Sequence, residues 1–142
     1  MRTAEYIEMT IKVLNEILED LDNILDRLDK TLRVNPAMYI LGLIIPPILL
    51  DRSKKEYIYS AKIMEDIRDR VKKLREILIT PEGEYLIPKT DSLDDILYYD
   101  FDYLIDKLYE RADAYSIGMQ IKDLMKKIER AINELKELPY QH

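Results

Sequence analysis

The fold is decided by residues 3–33, which have the sequence TAEYIEMTIKVLNEILEDLDNILDRLDKTLR. Apolar residues recur there at alternating intervals of four and three, at Ile7, Ile11, Leu14, Leu18, Leu21, Leu25, Leu28 and Leu32. This spacing places them on one face of an α-helix and is typical of coiled-coil packing. Ile17 and Ile24 widen the apolar stripe, so we expect this helix to contact two or more neighbouring helices.

Three further segments, 53–78, 91–115 and 117–138, also carry apolar residues at helical spacing. The chain has 142 residues and is 47% hydrophobic, which suffices for one core. Net acidic segments alternate along the chain with net basic ones, as antiparallel neighbours with complementary flanks would. We therefore predict a single all-α domain over 1–142, an antiparallel helical bundle of three to four long helices with coiled-coil-like packing.

Local signals set the expected ends of these helices. A Ser53-x-x-Glu56 capping box begins the second helix, and Asp91 or Ser92 caps the third. The apolar stripes of the last two segments are out of register around residues 115–118. We expect a turn there in preference to a kink within one helix.

Two connecting segments are distinctive. Asn35-Pro36 predicts an N-cap followed by a first-turn proline, and so a new short helix, while Pro46-Pro47 interrupts any helix beyond it. We predict a short apolar helix or connector over 36–50. Near 77–87, a Thr80-Pro81-Glu82-Gly83 turn has short apolar flanks, which form either a tiny β-hairpin or a plain loop.

The composition excludes several kinds of chemistry. Cysteine is absent, so disulfides, thiolate metal sites and cysteine nucleophiles have no residue to use. The single histidine, His142, leaves no candidate for a Ser-His-Asp triad or a carboxylate–histidine metal site. We predict no enzyme and no cofactor. The many charged residues and scarce amides also resemble the composition of heat-adapted proteins.

One alternative comes from the acidic residues of the third segment. Carboxylates recur at helical spacing at Asp102, Asp106, Glu110 and Asp113, with Asp95 extending the row. Such a face binds a hard cation, lies in solvent, or pairs with the basic second helix, and we favour the last two over a cation site. Glu16-x-x-Glu19 and Glu110-x-x-Asp113 together resemble the paired motifs of the all-α nucleotide pyrophosphatases, although in that family the two motifs lie close together in sequence. The resemblance implies a Mg²⁺-dependent nucleotide hydrolase.

A second alternative comes from the basic run on the second helix, formed by Arg68, Arg70, Lys72, Lys73 and Arg75. Regularly spaced cations bind the phosphates of nucleic acid, which would make the protein a nucleic-acid-handling accessory subunit. Acidic residues interrupt the run, the net charge is −6, and no aromatic stacking platform is evident beside it. We therefore prefer pairing with the acidic helix.

The interpretation we prefer is a structural or adaptor protein that acts by self-association, as a homo-oligomer, or by contact with a protein partner. Residues 37–50 carry no charge and exceed what a helix connector needs, although they are too short to span a bilayer. Burial of this segment as a connector folded over the end of the bundle stays open, and so does insertion into a membrane surface. The start of the chain lacks a signal-peptide core, so we expect a cytoplasmic protein. The predicted contact residues are Tyr39, Ile40, Leu43, Ile44, Ile45, Ile48, Leu49, Tyr99 and Tyr103.

Overall fold

The chain forms five α-helices and no strand in the part described by a computed structural model. The description covers the backbone of residues 2–40 and 47–139 and the side chains of residues 2–30 and 54–139. The helices are α1 (Thr3–Ile40), α2 (Pro47–Leu78), α3 (Asp91–Leu97), α4 (Phe101–Tyr109) and α5 (Ala114–Lys136). The predicted all-α class is confirmed.

The helices pack as an antiparallel four-rod bundle in which α3 and α4 together form the third rod. α1 packs against α2 and α5, while α4 packs mainly on α2 and α3 mainly on α5. Arg27 of α1 pairs with Glu56 at 3.1 Å, and the earlier residue Asp20 pairs with the later residue Arg70, so α1 and α2 run in opposite directions. The predicted bundle is therefore confirmed.

The buried face of α1 is rotated from the predicted stripe. Its fully buried residues are Ile7, Thr10, Leu14, Ile17, Leu21, Ile24 and Leu28. Ile11, Leu18 and Leu25, which belong to the predicted stripe, are half-buried, and Leu25 lies beside Gly118 of α5. Both sets alternate by three and four, so the spacing alone did not distinguish them. The hydroxyl of buried Thr10 donates to the carbonyl of Tyr6 at 2.7 Å.

The predicted helix break at Asn35-Pro36 is wrong, because α1 continues to Ile40. A proline fixes φ near the helical value and removes one backbone donor, so a helix can pass through it with one hydrogen bond fewer. The start of α2 is also earlier than predicted, at Pro47 and not Ser53. Proline suits a first helical position, where its missing N–H has no helical partner to lose.

The predicted single helix over 91–115 is two helices. Thr90 caps α3, its hydroxyl accepting from the Leu93 N–H at 3.3 Å, in place of the predicted Asp91 or Ser92. α3 stops at Leu97, and the Asp100 carboxylate caps α4 by accepting from the Tyr103 N–H at 3.3 Å. An aspartate that bonds the backbone ahead of it favours a new helix start over continuation of the old helix.

A turn joins α4 to α5, as preferred, but it lies at residues 110–113. The N–H groups of Arg111 and Ala112 donate to Leu108 and Lys107, which is a Schellman ending, and Arg111 has a φ of 55°. Asp113 then caps α5. Tyr115 therefore lies in the first turn of α5, and its side chain is 65% exposed.

A β-hairpin was one alternative near 77–87, and the structure forms only one antiparallel bridge there, between Ile79 and Tyr85. Residues 77 and 78 belong to α2 and cannot pair as a strand. The Thr80 N–H donates to the Glu84 carbonyl at 2.8 Å, and Gly83 takes the left-handed φ of 86° that this turn requires. The segment returns the chain from α2 to α3.

Candidate protein interaction surfaces

Four of the predicted contact residues of the apolar segment lie at one end of the bundle, where α1 ends and α2 begins. Tyr39 and Ile40 belong to the last turn of α1, and Ile48 and Leu49 to the first turn of α2. Leu43, Ile44 and Ile45 fall outside the described residues, and the surroundings of all seven side chains are outside the described part. We call residues 36–50 the hairpin end.

The described parts of α1 and α2 extend beyond the level at which the other two rods turn. The Tyr57 hydroxyl donates to the Ala112 carbonyl at 2.9 Å, which fixes the α4–α5 turn beside Tyr57. α2 begins ten residues before Tyr57, about 15 Å of helix. On the other side, Leu28 lies near Ala114, and α1 continues twelve residues further, about 18 Å. Over the described residues, α1 and α2 therefore extend further at this end of the bundle than the other rods do.

Tyr99 and Tyr103, the other two predicted contact residues, have different surroundings. Tyr99 is half-buried, and its ring contacts that of Phe101 edge to face, with the centroids 4.9 Å apart. Burial raises the pKa of Tyr99. Tyr103 is 47% exposed, with the Lys107 ammonium 5.5 Å from its ring centroid. Tyr103 is thus available to a partner, whereas Tyr99 packs mainly within its own molecule.

A cleft of about 490 Å³ lies along the seam between α1 and α5, and the sequence patterns did not predict it. We call it the α1–α5 cleft. Its floor includes Leu25, Leu28 and Gly118. A Cβ atom added at Gly118 would lie 3.8 Å from a methyl of Leu25, so the missing side chain leaves the floor open there. Tyr115 and Met119, one turn apart on α5, line the same cleft and are 65% and 45% exposed.

The α1 wall of this cleft is acidic. The lining carboxylates are those of Glu19, Asp22, Asp26 and Asp29, and the cation that lines it is Lys122 of α5. Asp26 forms an exposed ion pair with Lys30 at 3.5 Å. Among the described side chains, Glu19 and Asp22 have no ion-pair partner. The wall therefore carries negative charge that its own molecule compensates only in part.

The helical spacing of these carboxylates is visible in the sequence. The sequence pattern did not indicate which helix lies beside these carboxylates, because nothing in it places the start of α5 against residues 19–29. Exposed apolar residues and acidic residues become one surface only once that packing is known.

The basic run of α2 is paired in part within the molecule, through Arg68 and Arg70. Arg68 donates to Asp102 of α4 at 2.8 Å and to Asp69 at 3.1 Å, and the hydrogen bond with Asp102 is the main cause of its raised pKa. Arg70 pairs with Asp20 of α1 and with Asp66. The predicted pairing with the acidic helix thus holds for Arg68, while Arg70 pairs with α1.

A second cleft, of about 400 Å³, lies between α2 and the α3–α4 junction. Arg68, Lys72 and Arg75 line it together with Tyr99 and other residues. The Arg75 guanidinium also lies 5.2 Å from the ring centroid of Tyr98. We expected no aromatic stacking platform beside the basic run, but the α3–α4 link brings Tyr98 and Tyr99 against α2. Three carboxylates, of Asp69, Asp100 and Asp102, line the same cleft.

Three carboxylates of the acidic row have ion-pair or hydrogen-bond partners within the molecule. Asp102 pairs with Arg68, Glu110 lies 3.6 Å from the Lys107 ammonium, and Asp113 accepts from the Tyr115 N–H at 3.1 Å. Within the described part of the chain, no three histidine, cysteine, aspartate or glutamate side chains lie together so that they could hold a metal ion. Over the same residues, no helix has the length and apolar content that crossing a membrane requires.

No protein-family model, curated protein or solved structure matches this chain. A proposal for its function therefore rests on the geometry of its own surfaces.

Proposed function

We propose that this protein is a non-enzymatic helical-bundle protein that acts by self-association through the hairpin end, residues 36–50. The observation that carries the proposal is the extension of α1 and α2 past the α4–α5 turn. Below that turn, four rods enclose the apolar core. Beyond it, α1 and α2 continue first with charged residues and then, at residues 37–40 and 47–50, with an uncharged sequence.

Two helices alone bury only the faces that they turn toward each other. An amphipathic helix pair solves this problem by placing charged residues on the outer faces. Residues 37–50 contain no charged residue on any face. Uncharged, apolar sequence of this kind favours contact with another protein, because burial of apolar surface lowers the free energy.

A second copy of the chain is the partner that charge favours. The net charge of −6 makes two copies repel each other over most of their surfaces. The hairpin end carries none of that charge, so two copies meet there without bringing carboxylates together. A two-fold pairing of the same end on both copies also gives a closed dimer, the most common symmetric assembly.

Light scattering across a range of protein concentrations tests this proposal. We expect the wild-type mass to rise toward that of a dimer, and Ile45→Asp to stay folded but remain monomeric. The matched control is Ile77→Asp, which makes the same change at an isoleucine of α2 that is 39% exposed and lies far from the hairpin end. It should leave the mass unchanged. An Ile45→Asp variant that unfolds, or that keeps the dimer mass, would contradict the proposal.

Nucleic-acid handling remains a second candidate on one observation, the presence of Lys72 and Tyr99 at the same cleft as Arg68 and Arg75. A cation beside an aromatic ring suits a stacked base and its phosphate. Against it stand the three carboxylates of that cleft. A gel shift with single-stranded DNA and RNA at low salt tests this candidate, and we expect no retarded complex. For the Mg²⁺-dependent hydrolase, titration with Mg²⁺ is the corresponding test.

A further inference from the structure

We propose that the α1–α5 cleft is a docking site for a basic amphipathic helix of a partner protein. The cleft lies on the side of the bundle and shares no residue with the hairpin end, so this binding is a second interaction and does not depend on self-association. A dimer formed through the hairpin end would bind two partner helices, one in the α1–α5 cleft of each copy.

The shape of the cleft suits a helix. Its acidic wall runs from Glu19 to Asp29, three turns or about 15 Å along α1, and α5 forms the opposite wall. Two antiparallel helices with an open floor form the kind of groove in which amphipathic helices bind. The absent side chain at Gly118 lets a partner approach the backbone of α5 closely.

The apolar contacts come from α5. Tyr115 and Met119 lie four residues apart on one helix face, and both are exposed. Tyrosine and methionine are enriched in protein interfaces, tyrosine because its ring is large and rigid and methionine because its flexible thioether adapts to its neighbour. They would contact the apolar face of the bound helix, next to half-buried Leu25.

The charge of the cleft selects a basic partner over a second copy. Four carboxylates and one lysine line it, and Glu19 and Asp22 lack an ion-pair partner among the described side chains. Lysine or arginine residues flanking the apolar face of the bound helix would supply the missing positive charge. A second copy fits less well, because the net charge of the chain is −6 and Arg68 and Arg70 of its basic run are ion-paired within the molecule.

The probe for this test is a fluorescent 18-residue peptide with leucines at helical i, i+3, i+4, i+7 spacing and lysines elsewhere. Anisotropy titration should show binding that weakens as salt rises, and a peptide with glutamate in place of lysine should not bind. Glu19→Lys combined with Asp22→Lys should weaken binding about tenfold, since both changes reverse the charge that attracts the peptide. The control pair, Glu5→Lys with Glu8→Lys, changes the net charge equally on the same helix and should change affinity less than about twofold.

The apolar contacts are tested separately. Tyr115→Ser combined with Met119→Ser should weaken peptide binding about tenfold while the far-ultraviolet circular dichroism stays unchanged. Tyr98→Ser, at an exposed tyrosine outside the cleft, is the control and should have little effect. Equal weakening by the cleft and control pairs would overturn the proposal, because it would mean attraction by net charge alone. A loss of dimer mass in the Tyr115 and Met119 variant would also overturn it, because the occupant would then be a second copy.

Discussion

Arg111 has a backbone conformation that side-chain-bearing residues rarely adopt, with a φ of 55° at the end of α4. The Schellman ending requires a left-handed residue at this position, and glycine is the usual one because it has no Cβ to clash with the backbone. The sequence held no glycine signal for this ending, because the nearest glycine is Gly118 and position 111 is an arginine.

Replacing Arg111 with glycine should therefore stabilise the protein. We expect Arg111→Gly to raise the free energy of unfolding by ~0.5–1 kcal/mol, measured by urea denaturation. Arg130→Gly is the control, since it makes the same change at an exposed position inside α5 and should lower the free energy of unfolding by a similar amount. A destabilised Arg111→Gly would mean that the arginine side chain makes a contact worth more than the relief of strain.

Tyr85 links the segment after α2 to α3, its hydroxyl donating to the Asp94 carboxylate. Burial, followed by this hydrogen bond, raises the pKa of Tyr85 well above its ordinary value of about 10. A raised pKa in the folded state means that the stabilisation is fully present below pH 10 and is lost as the pH rises from there through the folded-state pKa.

The stability of the wild type should accordingly fall above pH 10, and Tyr85→Phe should fall less steeply. At pH 7 the variant should be less stable by about 1 kcal/mol, since the hydrogen bond to Asp94 is gone. The difference should shrink above pH 10. Urea denaturation at pH 7 and pH 10.5 measures both values, with Tyr115→Phe as a control at an exposed position. A difference that stays constant with pH would contradict the raised pKa of Tyr85.

The helix boundaries differ most from those predicted from the sequence. The apolar stripe over 91–115 continues through residues 98–100 without a change of period, so it predicted one helix. The carboxylate of Asp100 competes locally by capping α4. At Asn35-Pro36 the opposite occurs, because a clear start signal lies within a helix that continues. Short local signals of this kind are decided by packing that the pattern does not contain.

The cap of α4 is testable at this scale. Asp100→Ala removes the acceptor of the Tyr103 N–H and should lower the free energy of unfolding by ~1 kcal/mol. Asp95→Ala is the control, an exposed aspartate within α3 whose loss should cost less than about 0.5 kcal/mol. Thermal denaturation followed by circular dichroism compares the two. Equal melting temperatures would mean that the break between α3 and α4 does not depend on its cap.

At the scale of the whole molecule, the sequence predicted the rods and their antiparallel order but not all of their neighbours. The heptad spacing of α1 predicts that one face of the helix is buried, but it does not predict which helix packs against that face. For that reason the core was largely predictable, whereas the α1–α5 cleft was not. The hairpin end was singled out by its lack of charge, and the structure adds that its two helices extend past the other two.

Site-specific cross-linking tests self-association through this end most directly. The chain has no cysteine, so a single introduced thiol can form only an intermolecular disulfide. Ala37→Cys lies in the hairpin end, and Glu82→Cys lies in the turn after α2, at the opposite end of that helix. On mild oxidation we expect Ala37→Cys to give a disulfide-linked dimer on a non-reducing gel and Glu82→Cys to stay monomeric. Equal cross-linking of the two variants, or none of Ala37→Cys in a protein that scatters light as a dimer, would contradict association through the hairpin end.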